Sequence, residues 1–256
     1  MSRAPLAIAL TGVALVAGCG GGAQAPGGPL QQTAHNLGKI HSGRLDMDVR
    51  IQSASAGPKG TVGFLLAGDF ALAKDRGLPE LDVTYTSLAG TRRISSVLRS
   101  TGGTATVRAG GKTTTLTRAQ AATLASAGRQ SDGGLDALGL HIERWVAHPR
   151  VTNGPTVDGV ATDRITGRLD VVAALQDARA ASGQGGAGLN AADRRQLREA
   201  VRTASITVLT GHRDRLLRRV NATATLDVPP RLRRVLGDRT AVRLSFGVAL
   251  DNVNGT

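Results

Sequence analysis

The chain has 256 residues, a formal net charge of +13 and an aromatic content of 2%. Its length suits one sizeable domain or two small ones, and the single cysteine, Cys19, excludes a disulfide within the chain, so cohesion must come from packing. The positive charge favours anionic partners, but the scarcity of aromatic side chains on which bases could stack argues against nucleic-acid binding.

The N-terminal segment has the layout of a secretory signal. Arg3 supplies a positive start, residues 4–17 are uncharged and mostly apolar, and the small residues Ala17 and Gly18 precede Cys19. The apolar run is shorter than the roughly 20 residues that span a membrane. Export also removes nucleic acid as the usual partner of a basic chain.

The ending Val-Ala-Gly-Cys resembles the lipobox of bacterial lipoproteins. In that family the cysteine sulfur carries diacylglycerol, the chain is cut before the cysteine, and the new amino terminus is acylated, for example with palmitate. The resemblance implies a signal peptide over 1–18, lipidation of Cys19, and anchoring on the extracytoplasmic face of a bacterial cell membrane. An ordinary signal peptide with a cysteine nearby remains the alternative. Two or more acyl chains would give a stable anchor.

Residues 19–36 are predicted to be a Gly/Pro-rich tether, and residues 37–256 a single α+β domain. Residues 45–51 alternate apolar with charged side chains, which predicts a strand with one buried and one wet face. The same reasoning predicts further strands, which together suggest an antiparallel meander: 61–70, 81–88, 92–99, 104–108 and 112–116.

Helices are predicted where capping residues precede apolar stripes. Thr117 and Gln120 form a capping box for a helix to Ala127, and Asp170 caps one to Ala181. Asn190 caps a third, over 191–204, with a stripe of Leu197, Ala200, Val201 and Ala204. The remaining strands are predicted at 142–151, 157–169, 205–210, 216–228 and 241–250. This order predicts one sheet with helices on one face and water on the other.

The chain resembles the LolA-like lipid carriers, and within them the LppX/LprG group of envelope lipoproteins. The features that carry the resemblance are the lipobox with its tether, the meander from Gly43, and two segments: 157–167, which runs into a helix, and 210–219, which precedes an alternating strand. The resemblance implies a curved antiparallel sheet, an open half-barrel, with helices on its concave face. It further implies a non-enzymatic protein without a cofactor that binds or carries a lipid or glycolipid in an apolar cavity.

Ten apolar positions are candidates to line that cavity: Leu45, Met47, Val49, Ile51, Leu81, Val83, Tyr85, Leu244, Phe246 and Val248. For any single one of them plain core packing is the more common explanation, and alternation does not distinguish a hollow core from a filled one. A filled core would leave a structural or interaction lipoprotein whose basic face binds anionic envelope components. The candidates for that face are Arg213, Arg215, Arg218, Arg219, Arg231, Arg233, Arg234 and Arg239.

Other sequence motifs do not indicate a binding or catalytic site, because the residues around them do not fit one. The stretch 183–188 matches G-x-G-x-x-G, but a predicted helix precedes it where a dinucleotide site needs a strand, so it is interpreted as a flexible loop. The five histidines lack metal-ligand spacing, which predicts no metal site. No G-x-S-x-G or S-x-x-K motif occurs, so no catalytic residue is predicted, and a hydrolase with a scattered site is the weakest hypothesis. The oligomeric state stays open.

Overall fold

The structure is a computed structural model that describes residues 27–53, 60–73, 77–129, 141–181, 189–230 and 240–255. Within these ranges, eleven strands occur: β1 (Ser42–Ser53), β2 (Thr61–Ala71), β3 (Glu80–Ala89), β4 (Arg92–Thr101), β5 (Ala105–Ala109), β6 (Lys112–Thr115), β7 (Val146–Asn153), β8 (Thr162–Leu169), β9 (Val201–Gly211), β10 (Leu217–Asp227) and β11 (Ala241–Asp251). The α-helices are α1 (Pro29–His35), α2 (Arg118–Arg129), α3 (Ile142–Trp145), α4 (Val171–Ala181) and α5 (Ala191–Ala200), and a 3₁₀ turn, Asn36–Lys39, follows α1.

All eleven strands form one antiparallel sheet in the order β6-β5-β4-β3-β2-β1-β11-β10-β9-β8-β7. Two meanders, β1–β6 and β7–β11, are therefore joined where β1 pairs with β11. The sheet is curved and not closed, which confirms the predicted fold class. Since β6 and β7 are the two edge strands, residues 116–145 carry the chain from one edge to the other.

The sheet has one apolar and one polar face. Met47 is paired with Leu66 on one side and with Val248 on the other, and the row continues through Val220 to Val208. Directly opposed residues point to the same face, so one alternating pattern runs across both meanders. The intervening positions of β1 are Arg44, Asp46, Asp48 and Arg50.

Two glycines of the first meander allow neighbouring strands to approach closely. Gly63 and Gly68 of β2 have φ values of +159° and +152°, and a Cβ at either position would overlap a carbonyl oxygen, that of Val49 or of Asp82. Only a residue without a side chain fits so close an approach of two backbones.

The principal core lies on the apolar face of β7–β11. Helices α1, α3 and α4 contribute Leu30, Ile142, Trp145 and Val171 to it, and the sheet contributes fully buried residues such as Ile165. Asp177 of α4 anchors α3, since its Oδ2 accepts hydrogen bonds from the Trp145 indole at 2.7 Å and from the His141 amide at 2.9 Å. The indole packs edge-on against Phe246, with ring centroids 5.6 Å apart.

A second, smaller cluster lies under α2. Leu78 and Ala105 are buried there against Ala125, and Leu116 and Leu124 pack around them. The helix begins with the predicted capping box: the Gln120 amide donates to Thr117 Oγ1, and the Thr117 amide donates to Gln120 Oε1 at 2.9 Å. The two clusters therefore cover opposite parts of the same sheet face.

Most predicted elements are confirmed, including the caps at Asp170 and Asn190. Three boundaries are wrong. Residues 142–145, predicted as strand, form α3 because Asp177 binds both ends of that turn. Residues 201–204, predicted as helix, belong to β9, where pairing with β10 from Val201 onward outweighs the helical stripe. Residues 157–161, also predicted as strand, form a loop with one isolated bridge between Val157 and Val160.

Two predictions concern residues near the N-terminus. The predicted tether, 19–36, is described from Gly27, and from Pro29 its residues form α1, with Leu30 and Thr33 buried. Thr33 Oγ1 donates to Thr210 Oγ1 of β9 at 2.7 Å, which fastens this helix to the sheet. Cys19 and the predicted signal lie outside the described residues. Among the helices that the structure describes, none is long and apolar enough to cross a membrane.

Candidate functional site

The apolar face of β1–β5 is the candidate site. Strand pairing places on this face a set of apolar side chains that belong to neither of the two core clusters. We call this set the open face: Val49, Val62, Phe64, Leu66, Val83, Tyr85, Ile94, Leu98 and Val107. It spans four strand spacings of about 4.8 Å, and the stretch of β2 beneath it rises about 3.3 Å per residue. Both dimensions suit an elongated apolar ligand.

The apolar face is buried at one end of these strands and exposed over the middle and the other end. At the end where β2 finishes and β3 begins, which we call the closed end, Phe70 is 8% exposed. At the opposite, open end, Val62 is 40% exposed and Ile94 is 54% exposed, and Tyr85 between the ends is 43% exposed. Side chains of this size are seldom left in water as a contiguous group unless something binds to them.

The middle of the open face is aromatic. The rings of Phe64 and Tyr85 stack on neighbouring strands, with centroids 5.8 Å apart and planes 26° apart. Beside them the row Leu45–Gly68–Val83–Leu98 has a gap, because Gly68 carries no side chain. The stacked rings and the gap beside them give a mostly apolar floor, whose polar atoms include the Tyr85 hydroxyl and the side chain of Ser96 in the same row.

The principal core, by contrast, holds little free space. Leu37, Ile142 and Trp145 fill the region over β1, β11 and β10, and the room left there is about 20 Å³. A single water molecule needs nearly that much. An acyl chain therefore does not fit in this part of the molecule without displacement of α3 or of the turn after α1.

The ten predicted cavity residues all lie on the apolar face, but they divide into three groups. Four surround the small space in the principal core: Leu45, Met47, Phe246 and Val248. Three pack against that core: Ile51, Leu81 and Leu244. The last three belong to the open face: Val49, Val83 and Tyr85.

The remaining residues of the open face were not among the predicted candidates. Val62, Phe64 and Leu66 lie in a segment predicted as strand, and Ile94 and Leu98 lie in another. Alternation in those two segments was the available signal, although it is interrupted in both by glycine or serine. Which alternating residues stay uncovered depends on where the helices pack, and no local pattern encodes that.

The polar groups of the sheet form a separate cluster at the β9–β10 hairpin. Asp163 is nearly buried and accepts from His212 Nδ1 at 2.7 Å and from the Arg215 guanidinium. Burial alone would raise the pKa of Asp163, but the hydrogen bonds and charges of His212 and Arg215 outweigh it, so the pKa is lowered. Arg218 in turn binds Asp214 Oδ2 at 2.5 Å.

These ion pairs reduce the positive charge of the predicted basic face. Arg215 and Arg218 are both matched by carboxylates, so they contribute little net charge to the surface. Arg213 and Arg219 are described and exposed, whereas the other four candidates lie in 231–239, outside the described residues. No group of three or more potential metal ligands occurs among the residues that the structure describes.

Comparisons with known proteins show similarity of fold only. No family model and no curated sequence matches the chain. Among solved structures it is similar to LprF from Mycobacterium bovis, with a TM-score of 0.48 and 15% identity over 89% of this chain and 92% of that one. It is also similar to the Mycobacterium tuberculosis lipoprotein LppX, with a TM-score of 0.40 and 12% identity over 89% and 94%. Both belong to the group that the sequence resembles, and at these values nothing functional follows.

Proposed function

We propose that this chain is a non-enzymatic lipoprotein, anchored on the outer side of a bacterial cell membrane through Cys19, that binds or carries a lipid. The lipid's tail would lie on the open face. The observation that carries the proposal is the exposure of Val62, Tyr85 and Ile94 on one face of three adjacent strands.

The binding free energy would come from removing apolar surface from water. Each Å² of apolar surface that a bound tail removes from water contributes about 25 cal/mol and needs no directional partner. The open face offers aliphatic and aromatic side chains for this contact, and the polar side chains of β1–β4 mostly alternate to the other face. Binding sites for apolar ligands have this composition.

Native mass spectrometry of the full chain, purified from a lipid-containing host in nonionic detergent, tests the proposal. Ile94→Asp places a charge on the open face, where a tail would have to bury it, so we expect at least a tenfold loss of co-purified lipid. Ser95→Asp is the matched control, because Ser95 is the next residue, is exposed and faces the opposite side. Equal lipid content in both variants would contradict the proposed site.

The anchor is tested separately. Cys19→Ser removes the sulfur that the lipobox resemblance assigns to diacylglycerol, so the variant should move from the membrane fraction to the soluble fraction of the envelope. Unchanged fractionation would mean that another segment holds the chain to the membrane. This result does not depend on whether a lipid binds to the open face.

The filled principal core favours a second function. With about 20 Å³ of free space there, the chain would be a structural or interaction lipoprotein if the open face binds no lipid. Its exposed arginines would then be the surface for anionic envelope components. Absence of any lipid from the parent chain in the native mass spectrum would favour this alternative.

A further inference from the structure

Charge is distributed unevenly along the strands that carry the open face. Residues 83–131 contain no Asp or Glu but seven basic residues: Arg92, Arg93, Arg99, Arg108, Lys112, Arg118 and Arg129. The carboxylates of β2 and β3, Asp69, Glu80 and Asp82, lie at the closed end. Arg99 is matched there by Asp82, at 3.2 Å. The open end of this half of the sheet is therefore cationic.

Two of the cations lie on the apolar face itself. Arg92 is paired with Ala89, which is paired with Val62, so all three share the face. Lys112 is likewise paired with Ala109, and that row continues through Ser96 to Tyr85. Both cationic side chains are exposed, and no described carboxylate forms an ion pair with either of them.

The most exposed apolar residue lies close to both cations. Ile94 is two residues from Arg92 along β4, about 7 Å, and Lys112 is two strands and two residues away, about 12 Å. These separations are comparable with the distance over which charges act through physiological salt, about 8 Å. An apolar surface bordered by these two cations matches a molecule with a long tail and a negative head.

We infer that the open face selects lipids with an anionic head group, which Arg92 at the open end and Lys112 at the β6 edge attract from two sides while the tail runs towards Phe70. This inference rests on the proposed function and specifies its substrate class. Guanidinium and ammonium groups donate several hydrogen bonds to a phosphate or carboxylate head, and Arg does so with two parallel bonds. A zwitterionic head leaves that attraction largely cancelled.

Photo-crosslinking of the full chain in nonionic detergent tests the selectivity. The probes are phosphatidylglycerol and phosphatidylcholine with the same diazirine-bearing acyl chain, and intact mass spectrometry gives the ratio of the two adducts. We expect about three to ten times more phosphatidylglycerol adduct on the parent chain, since exposed charge pairs each contribute only modestly. In R92Q/K112Q the ratio should fall to about one, with the phosphatidylcholine adduct unchanged.

The matched control is R93Q/R108Q. Arg93 and Arg108 lie on the same two hairpins and are exposed, but their partners, Leu88 and Val97, place them on the opposite face. Because the control removes the same net charge, it should keep the preference for phosphatidylglycerol. An equal loss of preference in both double variants would overturn the inference in favour of general attraction between a basic surface and anionic lipid.

The remaining outcomes separate the inference from the proposed function. Equal adducts of both lipids on the parent chain would overturn the anionic selectivity and leave lipid binding intact. Absence of both adducts, with Ile94→Asp indistinguishable from the parent, would overturn the proposed function and the selectivity with it. Adducts mapped to peptides of β2–β5 would support both.

Discussion

Strands β9–β10 of the packed half of the sheet (β7–β11) and β2–β3 of its open half (β1–β6) make an informative comparison, because the same alternation has two outcomes. In the first pair Ile206, Val208 and Val220 are almost completely removed from water, whereas in the second Val62 and Tyr85 are largely exposed. Helix α1 contacts β8 and β9, α5 contacts β9, and α3 contacts β7. Alternation therefore decides which face of a strand is apolar, and other segments decide whether that face becomes a core.

The largest expected difference between the halves concerns two aromatic residues. Trp145→Ala removes a buried ring and the donor to Asp177, so the free energy of unfolding should fall by about 3–5 kcal/mol. Tyr85→Ala on the open face should change it by less than about 1 kcal/mol. Urea titrations of both full-length variants, followed by circular dichroism, measure the two values. Similar losses would mean that the open face is part of a packed core.

A second prediction concerns the stability that the charge of Asp163 contributes to the packed half. Asp163→Ala should lower the free energy of unfolding by about 2–3 kcal/mol near neutral pH, since it leaves Arg215 without its buried partner. Because the pKa of Asp163 is lowered in the folded chain, its contribution is present above the unfolded pKa and is lost as the pH falls through the folded value. Parent and variant should therefore converge in acid.

The control for that experiment lies in the open half. Asp82 pairs with Arg99, but both side chains are exposed, so Asp82→Ala should cost no more than about 0.5 kcal/mol at any pH. Urea titrations from pH 3 to pH 7 compare the two variants. A difference between Asp163→Ala and its parent that stays constant down to pH 3 would contradict the lowered pKa.

The sequence predicts local features of both halves well and long-range ones poorly. The alternation of residues 45–51 and the box of Thr117 and Gln120 are local, and both predict the observed elements. The turn at 142–145 depends on Asp177, more than 30 residues away, and the strand from Val201 depends on β10. Exposure of Ile94 is also a long-range property, because it depends on where helices from other segments pack.

The candidate site follows the same rule. Tyr85, Val83 and Val49 were predictable as inward-facing residues from alternation alone, but so were Leu45 and Phe246, which lie in a filled region. The arginine-rich turn of β3–β4 was visible as charge, yet its relation to the open face needs the pairing of Arg92 with Ala89. The strand register therefore shows which side chains share a face, which the composition does not determine.

A smaller effect is expected at α2, which covers the edge of the open half. Thr117→Ala removes one side of the capping box and should cost about 1 kcal/mol. Since the cluster under α2 is separate from the principal core, hydrogen exchange should quicken in α2 and remain unchanged in β9. Thr115→Ala, an exposed change on β6, is the control. Faster exchange throughout the sheet would show that the two clusters unfold together.

The smallest effect is expected at the seam between the halves, where Asp251 of β11 faces Arg44 of β1. Burial raises the pKa of Asp251, and a hydrogen bond with Asp158 and the charges of Asp158 and Asp46 raise it further, against the charge of Arg219. The protonated form is thus the one that folding favours, and that stability is lost as the pH rises through the folded pKa.

Asp251→Asn should therefore raise the melting temperature at pH 7 by about 1–2 °C, because it removes the repulsion between two partly solvated carboxylates. The gain should shrink below about pH 4, as the parent's carboxyl becomes protonated in both the folded and the unfolded chain. Differential scanning calorimetry of parent and variant at pH 3.5 and pH 7 measures it. A lower melting temperature at pH 7 would mean that the Asp251 carboxylate stabilises the seam through Arg219 or Arg44, and that the two halves are joined by charge pairing as well as by the strand ladder.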